Sequence, residues 1–208
     1  MASYFNLLIN FLVGTSIAAS GVSLNAPIDT RYNSQNEMVI NVQTKIPDVL
    51  FYSQFSDIDD VEWQKLGCGI ASLAMLIEFY KPGTVAVNTL LKEGIDAGAY
   101  LNDAGWKHRE LALLASKYGL KGENYDLSSL SVDAAFAQFK KSLKEGPVIA
   151  SVHYKFDLKS SIPHLAVISG IDGDTIYYND PAGTSAGEKI SIQDFIKVWK
   201  KRFITVRL

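Results

Sequence analysis

The chain has 208 residues, 48% of them hydrophobic and 20% charged, with a formal net charge of −2. That is long enough for one full hydrophobic core, and with no basic run or stripe no nucleic-acid partner is expected. The single cysteine excludes an internal disulfide and any multi-cysteine metal site.

Tyr4 to Ala19 is largely apolar but is interrupted by Asn6, Asn10 and Thr15, too short and too broken for a comfortable membrane span. Small residues follow at Ala18, Ala19, Ser20 and Gly21, as at a signal-peptidase site, yet no Lys or Arg precedes the run. Residues 1–26 are read either as a secretory signal, giving an extracytoplasmic protein, or as a loosely docked segment of a cytoplasmic one. Any membrane contact is expected through this segment alone. Gly21 to Asn41 is rich in Ser, Asn, Asp and Thr and reads as a linker. Residues 1–44 are therefore the N-terminal segment and linker, and 45–208 a single domain.

Val49 to Tyr52 reads as a short strand. The acidic stretch with Asp57, Asp59, Asp60 and Glu62 lacks the glycine and terminal glutamate of an EF-hand and reads as a solvated loop. Cys68 follows, between Gly67 and Gly69. Ile70, Leu73, Ala74 and Ile77 recur at helical spacing, and Ala71, Met75, Leu76 and Phe79 fill much of the rest of the circumference. A helix apolar nearly all round belongs in a core. Lys81-Pro82-Gly83 stops it. Cys68 thus opens a buried helix, where unpaired N–H groups and the positive end of the dipole favour a reactive thiolate. The bland alternative is a small buried hydrophobe. The flanking glycines are expected to leave room for a substrate backbone.

Val87 to Leu91 begins a short helix, after which Gly94, Gly98 and Gly105 break up the chain. His108 to Leu120 reads as an amphipathic helix ending at Gly119. Ser131 to Lys144 is another, capped by Ser131 and stopped at Gly146-Pro147. Strands are expected at Val148 to Phe156, Leu165 to Ile171, Thr175 to Asn179 and Ile204 to Leu208, with a helix at Ser191 to Lys200. Helices first and antiparallel strands second define an α+β fold, a helical half with a central Cys-bearing helix packed on a C-terminal sheet.

A cysteine nucleophile needs a base and a group that orients it. Of three histidines, His108 opens a helix among fold determinants and His153 lies inside a strand. His164 stands at the mouth of a strand apolar on both faces, where a scaffold presents chemistry. The next strand ends in Asn179-Asp180-Pro181. Asp180 could orient His164 and support its charged form, or it could be a turn-forming residue. Asn179 could orient it instead; its side chain is expected on the opposite side of the strand from that of Asp180, so the two readings exclude each other. Gln54 and Gln64 are candidate oxyanion donors beside the Cys68 amide.

Tyr52-Ser53-Gln54, Gly67-Cys68-Gly69 before an Ala- and Leu-rich helix, and Gly105-Trp106-x-His108 before Leu111-Ala112-x-Leu114 resemble the C39-like cysteine peptidases. So do Gly146-Pro147-Val148-Ile149, His164-x-Ala166-Val167-Ile168-x-Gly170 and Asn179-Asp180-Pro181. The likeness runs from about Asp48 to the C-terminus. It implies a papain-like fold, a Cys68–His164–Asp180 triad, and Gln54 rather than Gln64 in the oxyanion hole. Ile70 stands where this group often has proline. Leader peptidases of the family are fused to ABC transporters, for which the chain has no room, so the expected partner is simply a peptide or protein substrate. The expected activity is a thiol hydrolase, a monomer needing no cofactor and no metal. The alternatives are a transglutaminase or glutamine deamidase on the same groups, or a non-catalytic papain-like binding domain.

One geometric expectation follows. Side chains alternate along strands, so the hairpin register decides whether Asp180 and His164 share a face. An odd, three-residue loop over Asp172 to Asp174 pairs Ile171 with Thr175 and makes Asp180 the diagonal neighbour of His164, about 7–8 Å away between α-carbons. A tight turn on Asp172-Gly173 puts them on opposite faces. The triad requires the odd loop.

Overall fold

The computed structural model describes residues 29–32 and 38–41, as backbone, and residues 45–102 and 104–208. The apolar segment read as a signal lies outside the described residues. The chain divides into two units, Met1–Gln43 and Thr44–Leu208. In the first, within the stretch expected as linker, β1 (Asp29–Tyr32) pairs antiparallel with β2 (Met38–Asn41). Thr30, Tyr32, Val39 and Ile40 are residue types that favour strands.

The second unit begins with α1 (Val61–Gln64), α2 (Cys68–Tyr80), α3 (Val87–Asp96), a small pair β3 (Tyr100–Leu101) and β4 (Gly105–Trp106), and α4 (His108–Leu114). It continues with β5 (Lys121–Asp126), α5 (Val132–Lys144), β6 (Val148–His153), β7 (Pro163–Asp172) and β8 (Thr175–Asn179). It closes with β9 (Glu188–Ser191), α6 (Ile192–Val198) and β10 (Trp199–Arg207). Six strands form one antiparallel sheet in the order β5-β10-β6-β7-β8-β9. The last strand in the chain is thus threaded between β5 and β6.

The sheet is covered on both faces. On one lie α2, α3 and α4, with Ile149, Leu165, Val167, Ile204 and Val206 pointing into them. On the other, α5 and α6 bury Phe136, Phe139 and Phe195 against Ala150, Ala166, Ile168 and Phe203. α2 packs along β7. Every residue of it from Gly69 to Ile77 is buried, and full burial of each large apolar side chain stabilises by about 1.5–3 kcal/mol. Its Ser72 hydroxyl donates to the Leu165 carbonyl at 3.2 Å. α5 starts where Ser131 Oγ accepts from the Ala134 N–H at 3.3 Å, and α6 starts on Ser191 in the same way.

Several expectations are corrected. Val49 to Tyr52 is not a strand. Its backbone is tied to β8 by the Asn179 side chain, whose Nδ2 donates to the Val49 carbonyl at 2.9 Å, and not by a ladder. α3 runs through Gly94, where a Cβ would come within 3.0 Å of Ile70 and Trp106; the glycine permits close packing rather than ending the helix. β5 and β9 were not expected. They are the two edges of the sheet and carry no two-sided apolar run. Within β5, a Cβ on Gly122 would overlap the backbone carbonyl of Ala112 in α4, the close approach that glycine in a strand often marks.

The hairpin also differs. The turn is a two-residue one centred on Gly173-Asp174, with Asp172 opposite Thr175 and Gly173 at φ 54°. Gly170 faces Tyr177, but Ile168 faces Tyr178, so Ser169 is an extra, bulged residue. Its hydroxyl donates to the Tyr177 carbonyl at 3.1 Å. Beyond the bulge Val167 faces Asn179, which is the register expected from an odd loop. Local turn chemistry thus keeps its tight turn, and the bulge supplies the odd residue.

Because the obstacle at Gly122 is backbone, Gly122→Ala is expected to cost about 3 kcal/mol, the upper end of overpacking losses. Guanidinium unfolding measures it. A loss within error of zero would mean that α4 does not press on β5.

Candidate active site

Each element delivers one group. Cys68 is the first residue of α2, and no described side chain caps that helix end. The glycines beside it do not open a path for substrate, as the sequence suggested. They accommodate the protein's own side chains. A Cβ on Gly67 would overlap Ile58, and one on Gly69 would lie 2.7 Å from the Trp106 ring. Trp106 also donates its indole N–H to the Leu66 carbonyl at 2.7 Å, fixing the approach to Cys68.

His164, 2% exposed, stands near the start of β7 opposite Val152 of β6. Asp180 follows the end of β8, also buried. The His164 Nε2 donates to Asp180 Oδ1 at 2.6 Å, and that oxygen also accepts from the Ala182 N–H at 2.8 Å. Nε2 is thereby committed, and Nδ1 is the nitrogen left for the cleft that the ring shares with Cys68. The Tyr154 ring meets the imidazole edge-on, 5.1 Å between centroids. Burial by itself would push the imidazole down. The hydrogen bonds and charges of Asp180 and Cys68 outweigh it and raise His164 to about 9.

Asn179 is not an alternative orienting group. Its Nδ2 goes to Val49 and its Oδ1 accepts from the Gly187 N–H at 2.8 Å. Of the two glutamines, Gln54 is 1% exposed. Its backbone N–H donates to the Pro181 carbonyl at 2.8 Å, and its Nε2 donates to the main-chain carbonyl of Gln64 at 2.7 Å. Its Cβ lies 3.5 Å from where a Cβ on Gly67 would be, so the side chain rises beside the start of α2. Gln64 turns its own amide away, to the Ile58 carbonyl at 2.9 Å. His153 holds a loop through Nδ1, 2.6 Å from the Ser160 carbonyl.

A cleft of about 280 Å³ opens beside Cys68 and His164, bounded by Trp106, Pro163 and Leu165. His108 and Ser151 also line it, a position for His108 that its place among fold determinants did not reveal. Among the described residues no three His, Cys, Asp or Glu side chains converge to hold a metal.

The sequence profile of the Peptidase_C39 like family matches residues 46–203, most of the chain. The protein therefore belongs to that family, and its fold is the papain-like α+β fold. Among solved structures, a C39-like protein from Bacillus anthracis is similar at TM-score 0.56 with 22% identity, covering 77% of this chain and 94% of that one. A double glycine motif protease from an AMS/PCAT transporter, solved with its leader peptide, gives 0.53 and 24% over 77% and 91%. The peptidase domain of Streptococcus ComA, a bifunctional ABC transporter, gives 0.50 and 17% over 69% and 92%. No curated protein matches the chain.

The raised imidazole has a testable sign. A histidine ordinarily titrates near 6.5; here the charged form is favoured in the folded state. Its stabilisation is complete below about 6.5 and is lost as pH rises through about 9. NMR titration of His164 is expected to show a midpoint near 9, falling in Asp180→Asn. A midpoint at or below 6.5 in the native protein would contradict this arrangement.

Proposed function

We propose that the protein is a cysteine peptidase that cleaves peptide bonds through Cys68, His164 and Asp180. The observation that carries this reading is His164, which holds a buried carboxylate at 2.6 Å and lines one cleft with the sulfur at the start of a buried helix. Asp180 holds the ring through Nε2 and stabilises its charge. The Cys68 thiolate attacks the carbonyl carbon, and the carbonyl oxygen becomes an oxyanion. The Cys68 main-chain N–H, in the unpaired first turn of α2, donates to it. So does Gln54, whose amide nitrogen carries a second hydrogen beyond the one given to Gln64. The imidazolium then protonates the leaving amine, leaving a thioester on Cys68. The neutral ring next takes a proton from water, which attacks the thioester and releases the acid and the sulfur.

Incubation with a proteome-derived peptide mixture, read as new amino termini by mass spectrometry, tests the reaction. Cys68→Ala is expected to abolish the new termini. Gln54→Ala should lose on the order of 10²–10³ in rate, the usual loss for one oxyanion donor. Gln64→Ala should stay near wild type, because the group that holds Gln54 is a main-chain carbonyl. Ammonia release without new termini would overturn the peptidase reading in favour of a deamidase. In the same reading Cys68 reacts with iodoacetamide at pH 6 and His164→Ala loses most of that reaction; equal reaction in both would remove the His164 role.

A further inference from the structure

Among the polar side chains in the cleft that the proposed chemistry leaves unused are Ser151 and His108. Ser151 is 4% exposed and His108 is half-buried, and neither makes a side-chain hydrogen bond to any described residue. Their polar atoms face the open cleft, and a ligand that covers them must replace the hydrogen bonds that water supplies or leave them unpaired. Their location is specific. Ser151 lies on β6 directly opposite Leu165 and one residue from Val152, the partner of His164. Directly opposed side chains on adjacent strands stand about 5 Å apart. His108 starts α4 two residues after Trp106, whose ring is a wall of the same cleft. The other walls, Pro163 and Leu165, are apolar.

The charge in this space is limited. Among the described residues no Asp or Glu lines the cleft, and Lys65 is at the exposed rim. Arg202, whose charge acts on His108, is held by Asp126 at 2.9 Å. Burial first, and then the positive charge of Arg202, hold the His108 imidazole below its usual range, against the opposing pull of Asp126. Beside Tyr100, Lys65 at the rim and the Cys68–His164 pair, the cleft at neutral pH thus offers an uncharged hydroxyl and an uncharged imidazole, each able to donate and to accept.

We propose that this cleft is the pocket for a substrate side chain near the scissile bond, and that Ser151 and His108 select a carboxamide, Asn or Gln, over an apolar side chain of the same size. A carboxamide offers both donor and acceptor and satisfies both groups. An apolar side chain covers them and leaves them unpaired, which is how a hydrogen-bonding site rejects an analogue lacking the polar group. The inference rests on Cys68 being the nucleophile, as proposed above.

Dipeptidyl vinyl sulfones test it without a known substrate, since they alkylate an activated cysteine after their side chains dock. The set carries Asn, Leu, Gln, Met or Glu at each of the two residues before the electrophile. The readout is the second-order rate of Cys68 modification, followed by intact mass. At one of the two positions Asn is expected to exceed Leu, and Gln to exceed Met, by on the order of 10²-fold. Ser151→Ala should bring both ratios to within a few fold, and Ser151→Thr, which keeps the hydroxyl, should retain them. Equal rates for carboxamide and apolar probes, a preference for Glu, or ratios that survive Ser151→Ala combined with His108→Phe would each overturn the pocket assignment. So would labelling of Cys68 by iodoacetamide at pH 6 with no reaction from any sulfone. If iodoacetamide itself fails at pH 6, the nucleophile reading has failed and this inference with it.

Discussion

The contact between His164 and Asp180 depends on one residue of β7 that has no partner across the ladder. Asp172-Gly173-Asp174-Thr175 folds as a tight turn because Gly173 takes the positive φ that such turns need. Carried unbroken along the two strands, the register of that turn would send the imidazole and the carboxylate to opposite faces. Ser169 breaks the count. The bulged residue is itself tied to β8, its hydroxyl donating to the Tyr177 carbonyl. Two demands that conflict at the level of strand alternation, a favoured turn and a shared face, are thus both met by one inserted residue.

The same economy holds α2 in place. The helix is buried over nine consecutive residues, so it cannot turn about its axis without exposing apolar surface. Ser72 fixes it along β7 at the residue next to His164. The chain before it is anchored by bonds to main-chain atoms: Trp106 at Leu66, Gln54 at Gln64, and Asn179 at Val49. The Gln54 N–H closes the loop back onto Pro181, next to Asp180. Sulfur, imidazole, carboxylate and amide therefore belong to one hydrogen-bonded frame, and displacing any of them strains the others.

How much of this was legible in the sequence follows from what kind of signal each part leaves. The helix at Cys68 and the strand Thr175–Asn179 are read directly, because a helix buried all round and a strand ended by Asp-Pro have patterns that tertiary structure reinforces. His164 and Asp180 stood out as polar residues at the mouths of apolar strands. The edges β5 and β9 did not, since an edge strand alternates weakly and β5 carries Gly122 for the sake of α4. The meaning of Gly67 and Gly69 was reversed, because room made by a missing Cβ does not say which atoms will take it. The bulge was invisible for a similar reason: Ser169 is an ordinary strand residue until the partner strand is placed beside it. His108 opens a helix among fold determinants, and only the shape of the cleft brings it into one space with Ser151.

The place of β10 bears on how the protein comes into being. Among the described strands β5 has no ladder partner except β10, and β6 needs β10 on one side. On a ribosome the chain emerges from its amino end, so both strands are exposed well before the strand that joins them. The helices can form early, but the sheet beneath them closes only when β10 is free. Contacts so distant in sequence slow folding and prolong the exposure of unpaired strand edges. During synthesis Cys68 therefore emerges well before His164 and Asp180, and the sheet that holds those two beside it closes only once the whole domain has emerged.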